Sequence, residues 1–207
     1  MAKRTEGFDE VILQKAKQEF LENGYENASL RTIAQNASVS TSTIYTRFKD
    51  KEGLFRALIR PAAEKLLTYM ENSLGYFQNL DADTQISEQT AYSGLGYCGF
   101  LDILYEYFDE FKLMVTCSTN GIYRSYLEKI VELDVNCTVQ FLKVSQNRAY
   151  KDGRITEGFI HILSSGFYSG LFEIAVHNMD RTESEPYFQE LKSFYERGWS
   201  KYLTNIF

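Results

Sequence analysis

The stretch Ser29 to Phe55, SLRTIAQNASVSTSTIYTRFKDKEGLF, decides the fold of the N-terminal part. Ser29 is placed to cap a short helix that carries Leu30, Ile33, Ala34 and Ala37 on one face and ends near Asn36. Ser40 caps a second short helix through Thr46 or Arg47, with Ile44 and Phe48 turned inward, and Asp50 caps a third that opens at Lys51. Upstream, Phe8, Val11, Ile12, Ala16 and Phe20 recur at helical spacing, and Gly24 follows where a left-handed residue ends a helix. Four helices are thus punctuated within sixty residues.

Two short helices joined by a tight turn form a helix-turn-helix, whose second helix must present small or polar side chains to a major groove about 12 Å wide. Ala34 is small where the helices cross, and Val39 and Ile44 fill the wedge between them. Thr41, Ser42, Thr43, Tyr45, Thr46 and Arg47 are left facing outward. Two helices of an ordinary bundle explain the apolar positions equally well. They do not explain an outward face rich in hydroxyls and free of acids, because a merely solvated face mixes both signs.

Composition sets the frame. The chain has 207 residues, 44% hydrophobic and 24% charged, which is ordinary for a globular protein and long enough for a core without disulfides or metals. Only 2 Pro, against 15 Tyr and 15 Phe, favours helices with rings to spare for a cavity or an interface. The net charge of -6 argues at first against a nucleic-acid partner, but residues 1–60 carry +2 and the remainder -8. A modestly basic head on an acidic body is the polarity that orients a protein on a duplex. Cys98, Cys117 and Cys137 are far apart and lack C-x-x-C spacing, so they read as free thiols in a reducing cytosol. The N-terminus has no signal-peptide pattern and no stretch reads as a membrane span, so a cytoplasmic protein with no membrane partner is expected.

Ala34, Val39, Thr43-Ile44-Tyr45, Phe48, Lys51-Glu52 and Leu54-Phe55, with Ile12, Ala16, Phe20, Gly24 and Tyr25 before them, resemble the N-terminal signature of the TetR family of bacterial regulators. The resemblance covers about residues 8–55. It implies that Thr41 and Ser42 approach base edges, that Thr43 and Tyr45 hold phosphates, and that Lys51 binds another phosphate at the start of its helix. Arg31 matches a position from which some members reach a base. Thr46 and Arg47 stand where many members have an aromatic residue or His; Arg47 is either a phosphate contact or a solvated charge. Ser38 replaces the turn residue that is usually Gly, at a point where the chain prefers positive φ. Double-stranded operator DNA is the implied partner, with half-sites about 10 base pairs apart or farther.

The expected fold is all-α with about nine helices: a helix-turn-helix domain over residues 1–50 and a ligand-binding and dimerisation domain over 51–207. Pro61 is expected to kink the fourth helix near that boundary, and Asn79 to Thr90 reads as a polar loop. Further helices are expected at about Gly96–Phe108, Asp109–Ser118, Ile122–Gln146, Thr156–Asn178 and Ser184–Asn205. The resemblance implies a small-molecule effector in the body and a homodimer through the last two helices. Tyr97, Phe100, Tyr105, Tyr123, Tyr126, Phe141, Phe167 and Tyr168 are candidate pocket walls, each also readable as core. Gly166 and Gly170 form a flat stripe for a close-packing helix, and Phe194 and Trp199 belong to a broad aromatic face suited to a dimer seam. Asp102, Glu106, Glu157 and Glu173 would serve a cationic effector if one points inward.

Three other patterns carry less. Gly94 to Gly99 has G-x-G-x-x-G spacing but follows a polar segment with no parallel sheet in prospect, so it is no dinucleotide site. His161 and His177 each follow a Glu by four residues, yet the pairs are too far apart to share a metal. Gly166-Phe167-Tyr168-Ser169-Gly170 lacks the spacing of a nucleophile elbow. No cofactor, metal or enzymatic activity is therefore expected. The competing reading is a DNA-binding head on a helical enzyme or interaction module.

Overall fold

A computed structural model describes the backbone of residues 3–117 and 121–203 and the side chains of 8–87, 99–117 and 121–202. Ten α-helices account for the regular structure among the described residues, and the fold is all-α. They are α1 (Lys3–Asn27), α2 (Leu30–Asn36), α3 (Thr41–Phe48), α4 (Lys51–Gln78), α5 (Ala82–Glu106), α6 (Phe108–Thr116), α7 (Ile122–Val144), α8 (Arg148–Lys151), α9 (Glu157–Val176) and α10 (Arg181–Leu203). Gly24, at φ 71 and ψ 168, breaks α1 near its end.

The head is α1 to α3 packed on the first turns of α4. Ile12, Ala16 and Phe20 of α1, Ile33 and Ala34 of α2, Ile44 of α3, and Leu54 and Phe55 of α4 are almost fully buried together. Burial of this kind contributes roughly 1.5–3 kcal/mol for each large side chain, and it orients the short helices, which are too short to hold themselves. Polar groups fix the joints. The Ser29 side chain accepts from the Thr32 amide at 3.3 Å, while the buried Glu19 carboxylate accepts the Ser29 amide at 2.9 Å and ties α1 to the start of α2. Asp50 accepts the Gly53 amide at 2.7 Å. A Cβ at Gly53 would lie 1.9 Å from the Phe48 carbonyl oxygen, so glycine is what lets the start of α4 approach the end of α3 so closely.

The body continues the same hydrophobic cluster along α4 into α5, α6, α7 and α9, around Phe100, Leu104, Phe111, Ile130, Leu171 and Phe172. A second cluster, including Phe77, Phe141, Leu142, Ile155 and Ile160, lies at the other end of the body. α9 is long and apolar enough by composition to cross a bilayer, but here it packs against α6, α7 and α10.

Three features differ from the sequence reading. The expected loop at 79–90 is the turn before α5 and the first two turns of that helix. Asp81 caps it by accepting the Thr84 amide at 3.0 Å, and the buried Gln85 amide reaches the Gln78 and Leu80 carbonyls. Polarity there marked an exposed helix face rather than an irregular segment. α10 starts at Arg181 instead of Ser184 because Asp180 and Glu183 form a reciprocal capping box: Asp180 accepts the Thr182 and Glu183 amides, and Glu183 accepts the Asp180 amide at 3.1 Å. The single turn of α8, capped by Asn147, makes ten helices among the described residues where about nine are expected. α4 runs as one helix from Lys51 to Gln78 with Pro61 inside it.

Candidate nucleic-acid interface

The α2–α3 turn closes as the sequence suggests. Ser38 sits at φ 54, its amide donates to Gln35, and the Val39 amide reaches back to the Ala34 carbonyl at 2.9 Å, completing a Schellman-type end to α2. Ser40 then caps α3, its oxygen accepting the Thr43 amide at 3.2 Å. That same oxygen lies 2.7 Å from Ser42 Oγ and 2.9 Å from Thr43 Oγ1, so two outward hydroxyls are held in place at the positive end of the helix.

Along α3, Ile44 is fully buried, Thr43 half-buried, and Thr41, Ser42, Tyr45 and Thr46 exposed; the Tyr45 ring is 54% exposed despite its apolar area. Thr46 Oγ1 donates to the Ser42 carbonyl at 2.8 Å, leaving its lone pairs outward. Arg31, at the start of α2, is exposed. These five exposed residues form a surface of hydroxyls and one guanidinium, on which phosphates and base edges find donors without a competing carboxylate.

Two residues of the expected set are differently engaged. The Arg47 guanidinium is directed back onto the carboxylate of Asp9 in α1, with which it forms a hydrogen-bonded ion pair. Lys51 Nζ donates to the Glu26 carbonyl at 2.9 Å and lies 5.0 Å from the centre of the Tyr25 ring, so it also ties the end of α1 to the start of α4. Lys51 keeps two further N–H donors for a phosphate.

In the body, Phe172 gathers Phe100, Phe111, Tyr123 and Tyr126 at ring separations of 5.5 to 6.1 Å, and Phe100 also meets Tyr168 at 6.2 Å. Phe167 adjoins Tyr168. Tyr126 is buried, its hydroxyl donates to the Ala63 carbonyl of α4 at 3.3 Å, and burial pushes its phenol upward; burial also raises that of Tyr123. Two candidate rings are not brought to this group. Tyr105 stacks on Phe108 with its hydroxyl against the Met179 and Asp180 carbonyls, and Phe141 belongs to the second cluster beside Phe77. The side chain of Tyr97 lies outside the described residues.

Gly166 and Gly170 face α10 of their own chain. A Cβ at Gly166 would lie 2.6 Å from Tyr195 Oη, one at Gly170 would lie 3.1 Å from Leu191, and Tyr187 donates to the Gly170 carbonyl at 2.7 Å. The glycine stripe is therefore filled within the subunit. Phe194 remains 74% exposed and Ile162 on α9 68%, and Trp199 is half-buried. Phe194 and Trp199 border a half-open pocket of about 480 Å³ on the outer face of α9 and α10.

Sequence reasoning missed Asp134. It lies on α7, where Ser164 Oγ donates to one carboxyl oxygen at 2.5 Å and Tyr168 Oη to the other at 3.2 Å. Burial pushes its carboxyl above the usual range. Among the described residues no group of three or more His, Cys, Asp and Glu side chains is arranged to hold a metal.

Residues 12–58, the same stretch that builds this surface and its supports, match the model of the tetR family of bacterial regulatory proteins. The head belongs to the TetR family. The transcriptional repressor AcnR of Corynebacterium diphtheriae is 39% identical over 64 residues, which is 30% of this chain and 34% of that protein. The transcriptional regulator UidR of Escherichia coli K12 is 38% identical over 56 residues, 27% of this chain and 29% of that protein. The matched stretch thus spans about a third of the length of these curated relatives, and it is the TetR-family head that they share. The fold is alike over a greater length: a crystal structure assigned to TetR-family regulators, from Mesorhizobium loti, covers 96% of this chain and 98% of its own with a TM-score of 0.59 at 18% identity.

Proposed function

We propose that the protein is a cytoplasmic, homodimeric, sequence-specific DNA-binding regulator, a repressor released from its operator by a small molecule bound in the body. The observation that carries this reading is the exposed, acid-free face of α3 with Arg31 beside it, mounted on a TetR-family head. Thr41, Ser42 and Arg31 approach bases; Thr43, Tyr45 and Lys51 approach phosphates, and Thr46, its proton given to the Ser42 carbonyl, offers only lone pairs to a base-edge donor. The exposed ring of Phe194 and the adjoining face of α9 and α10 supply the seam between subunits. Effector sensing, rather than catalysis, is the work of the body.

Head and body are joined in ways that support signalling. Lys17 of α1 donates to Glu110 of α6 at 2.9 Å, Lys65 of α4 pairs with Glu106 at the end of α5, and Tyr126, in the aromatic group, holds the Ala63 carbonyl of α4. An effector that displaces the rings around Phe172 therefore acts on α4 and α6 together, and through them on α1.

The test is a mobility-shift titration of the wild type, Tyr45→Phe and Lys51→Ala on the upstream region of the gene. A hydrogen bond to a charged group is worth roughly 1.5–3 kcal/mol, so each variant loses on the order of tenfold or more in affinity. Equal binding by all three proteins would refute the assignment of these residues.

A further inference from the structure

The acidic side chains of the body bear on what it takes up. Asp102 pairs with Arg181, Glu106 with Lys65 and Glu173 with His177, and Glu157 faces the Tyr150 hydroxyl; all four are exposed. Solvent screens all four charges, and Arg181 and Lys65 pair with two of them. Asp134 differs. Its two hydrogen bonds come from neutral hydroxyls, and among the described residues no Lys, Arg or His forms an ion pair with it.

The donors are firmly placed. Ser164 and Tyr168 lie one turn apart on α9, 5% and 1% exposed, so they fix the carboxyl group in one orientation. A carboxylate offers about four lone-pair sites, and these hydroxyls occupy two. The residue as a whole is half-buried while its carboxyl group is desolvated, so the lone pairs left by the two hydroxyls are shielded from water. Desolvation raises this carboxyl, and burial followed by the Asp134 charge pushes the Cys137 thiol on the next turn of α7 up to about 12. A carboxylate desolvated without a counter-charge is costly, and an apolar residue of similar size would pack here without that cost. Tyr168 carries the site into the aromatic group, with Phe100 and Phe167 against its ring.

We propose that Asp134, oriented by Ser164 and Tyr168, is the charge-recognising residue of the effector site, and that the effector is an organic ammonium carrying N–H donors on an apolar or aromatic body. An ammonium supplies both the missing donors and the missing charge, while the neighbouring rings accept its apolar part and attract its cation. A neutral ligand leaves the carboxylate uncompensated, and a carboxylate ligand adds a second like charge. The proposal rests on the ligand-responsive reading above and names the chemical class of that ligand.

Three probes share one ring system and differ only in head group: 2-(1-naphthyl)ethylammonium, 2-(1-naphthyl)ethanol and 1-naphthylacetate. Binding to the full chain is measured directly by calorimetry, apart from any DNA. The expected result is that the wild type prefers the ammonium to the alcohol by at least about tenfold, the size of one charge-assisted contact, and takes the acetate most weakly. Asp134→Asn, nearly isosteric, abolishes the preference while retaining the alcohol, which also shows that it is folded; Asp134→Glu restores part of it. A wild type that does not prefer the ammonium, or an Asp134→Asn variant that keeps the preference, overturns the proposal. A DNA arm separates the two readings. An ammonium bound through Asp134 that leaves DNA affinity unchanged sustains this site and refutes effector release, whereas DNA release by the acetate or alcohol alone sustains effector release and refutes this site.

Discussion

Replacing Arg47 distinguishes a structural cation from a DNA-binding one. In the fold its guanidinium is spent on Asp9, with the two side chains 22% and 41% exposed, so solvent screens the pair and its coupling is about 0.5–1 kcal/mol. A double-mutant cycle of Arg47→Gln and Asp9→Asn, followed by urea denaturation, measures that coupling free of the cost of truncation. The contrasting reading, in which Arg47 neutralises a phosphate in each subunit, has its own signature. Each phosphate contact contributes about 0.9 to the slope of log affinity against log salt, so a dimer losing two contacts drops by roughly 1.8. Fluorescence anisotropy on operator DNA over about 50–200 mM KCl reads the slope directly. The structure predicts a coupling of at least about 0.5 kcal/mol and a slope that is unchanged in Arg47→Gln. A slope reduced by nearly two, with no coupling to Asp9, would refute the reasoning.

Further outcomes follow from the turns and from the buried carboxyl. Ser38→Gly relieves a non-glycine residue at φ 54 and raises the stability of the head by on the order of 0.5–1 kcal/mol in thermal or urea unfolding; a loss of stability contradicts the turn geometry. Gly53→Ala lowers stability by roughly 1–3 kcal/mol and weakens DNA binding, because the new methyl meets the Phe48 carbonyl oxygen; helix propensity alone predicts a gain, so a more stable variant contradicts this close approach of α4 to α3. Burial raises the Asp134 carboxyl from its ordinary value near 3.8, so the folded state holds its proton more tightly than the unfolded chain and this residue's contribution to stability falls as pH rises above about 4. The neighbouring Cys137 thiol, pushed up to about 12 by burial, does not ionise in that range. The stability of Asp134→Asn relative to wild type therefore increases from pH 4 to pH 8 in urea denaturation, and the opposite trend refutes the shift.

The helix-turn-helix was legible because its determinants are local. Ser29, Ser40 and Asp50 act on amides three residues away, and Gly24 and Ser38 take up their conformations within their own turns. What escaped depends on partners distant in the chain. Arg47 finds Asp9 at a separation of 38 residues, and Asp134 meets Ser164 and Tyr168 at 30 and 34. No periodicity announces such pairs; they exist only once tertiary packing brings α3 near α1 and sets α7 against α9. The division of the rings is similar, since Phe141 and Phe100 are alike in sequence context and part company only through packing. The start of α10 is a different case: Asp180 and Glu183 stand at capping-box spacing and were readable.

α4 has a geometric consequence that concerns base-pair register. Its 28 residues make a rod of about 42 Å, anchored at one end among the rings of the body and at the other against the helix that faces DNA. A rotation of roughly 5° about the anchored end displaces the far end by nearly 4 Å, more than the 3.4 Å rise per base pair along the duplex axis. Angular changes too small to repack a core are thus enough to shift α3 by one nucleotide, and in a twofold dimer the two heads shift in opposite senses.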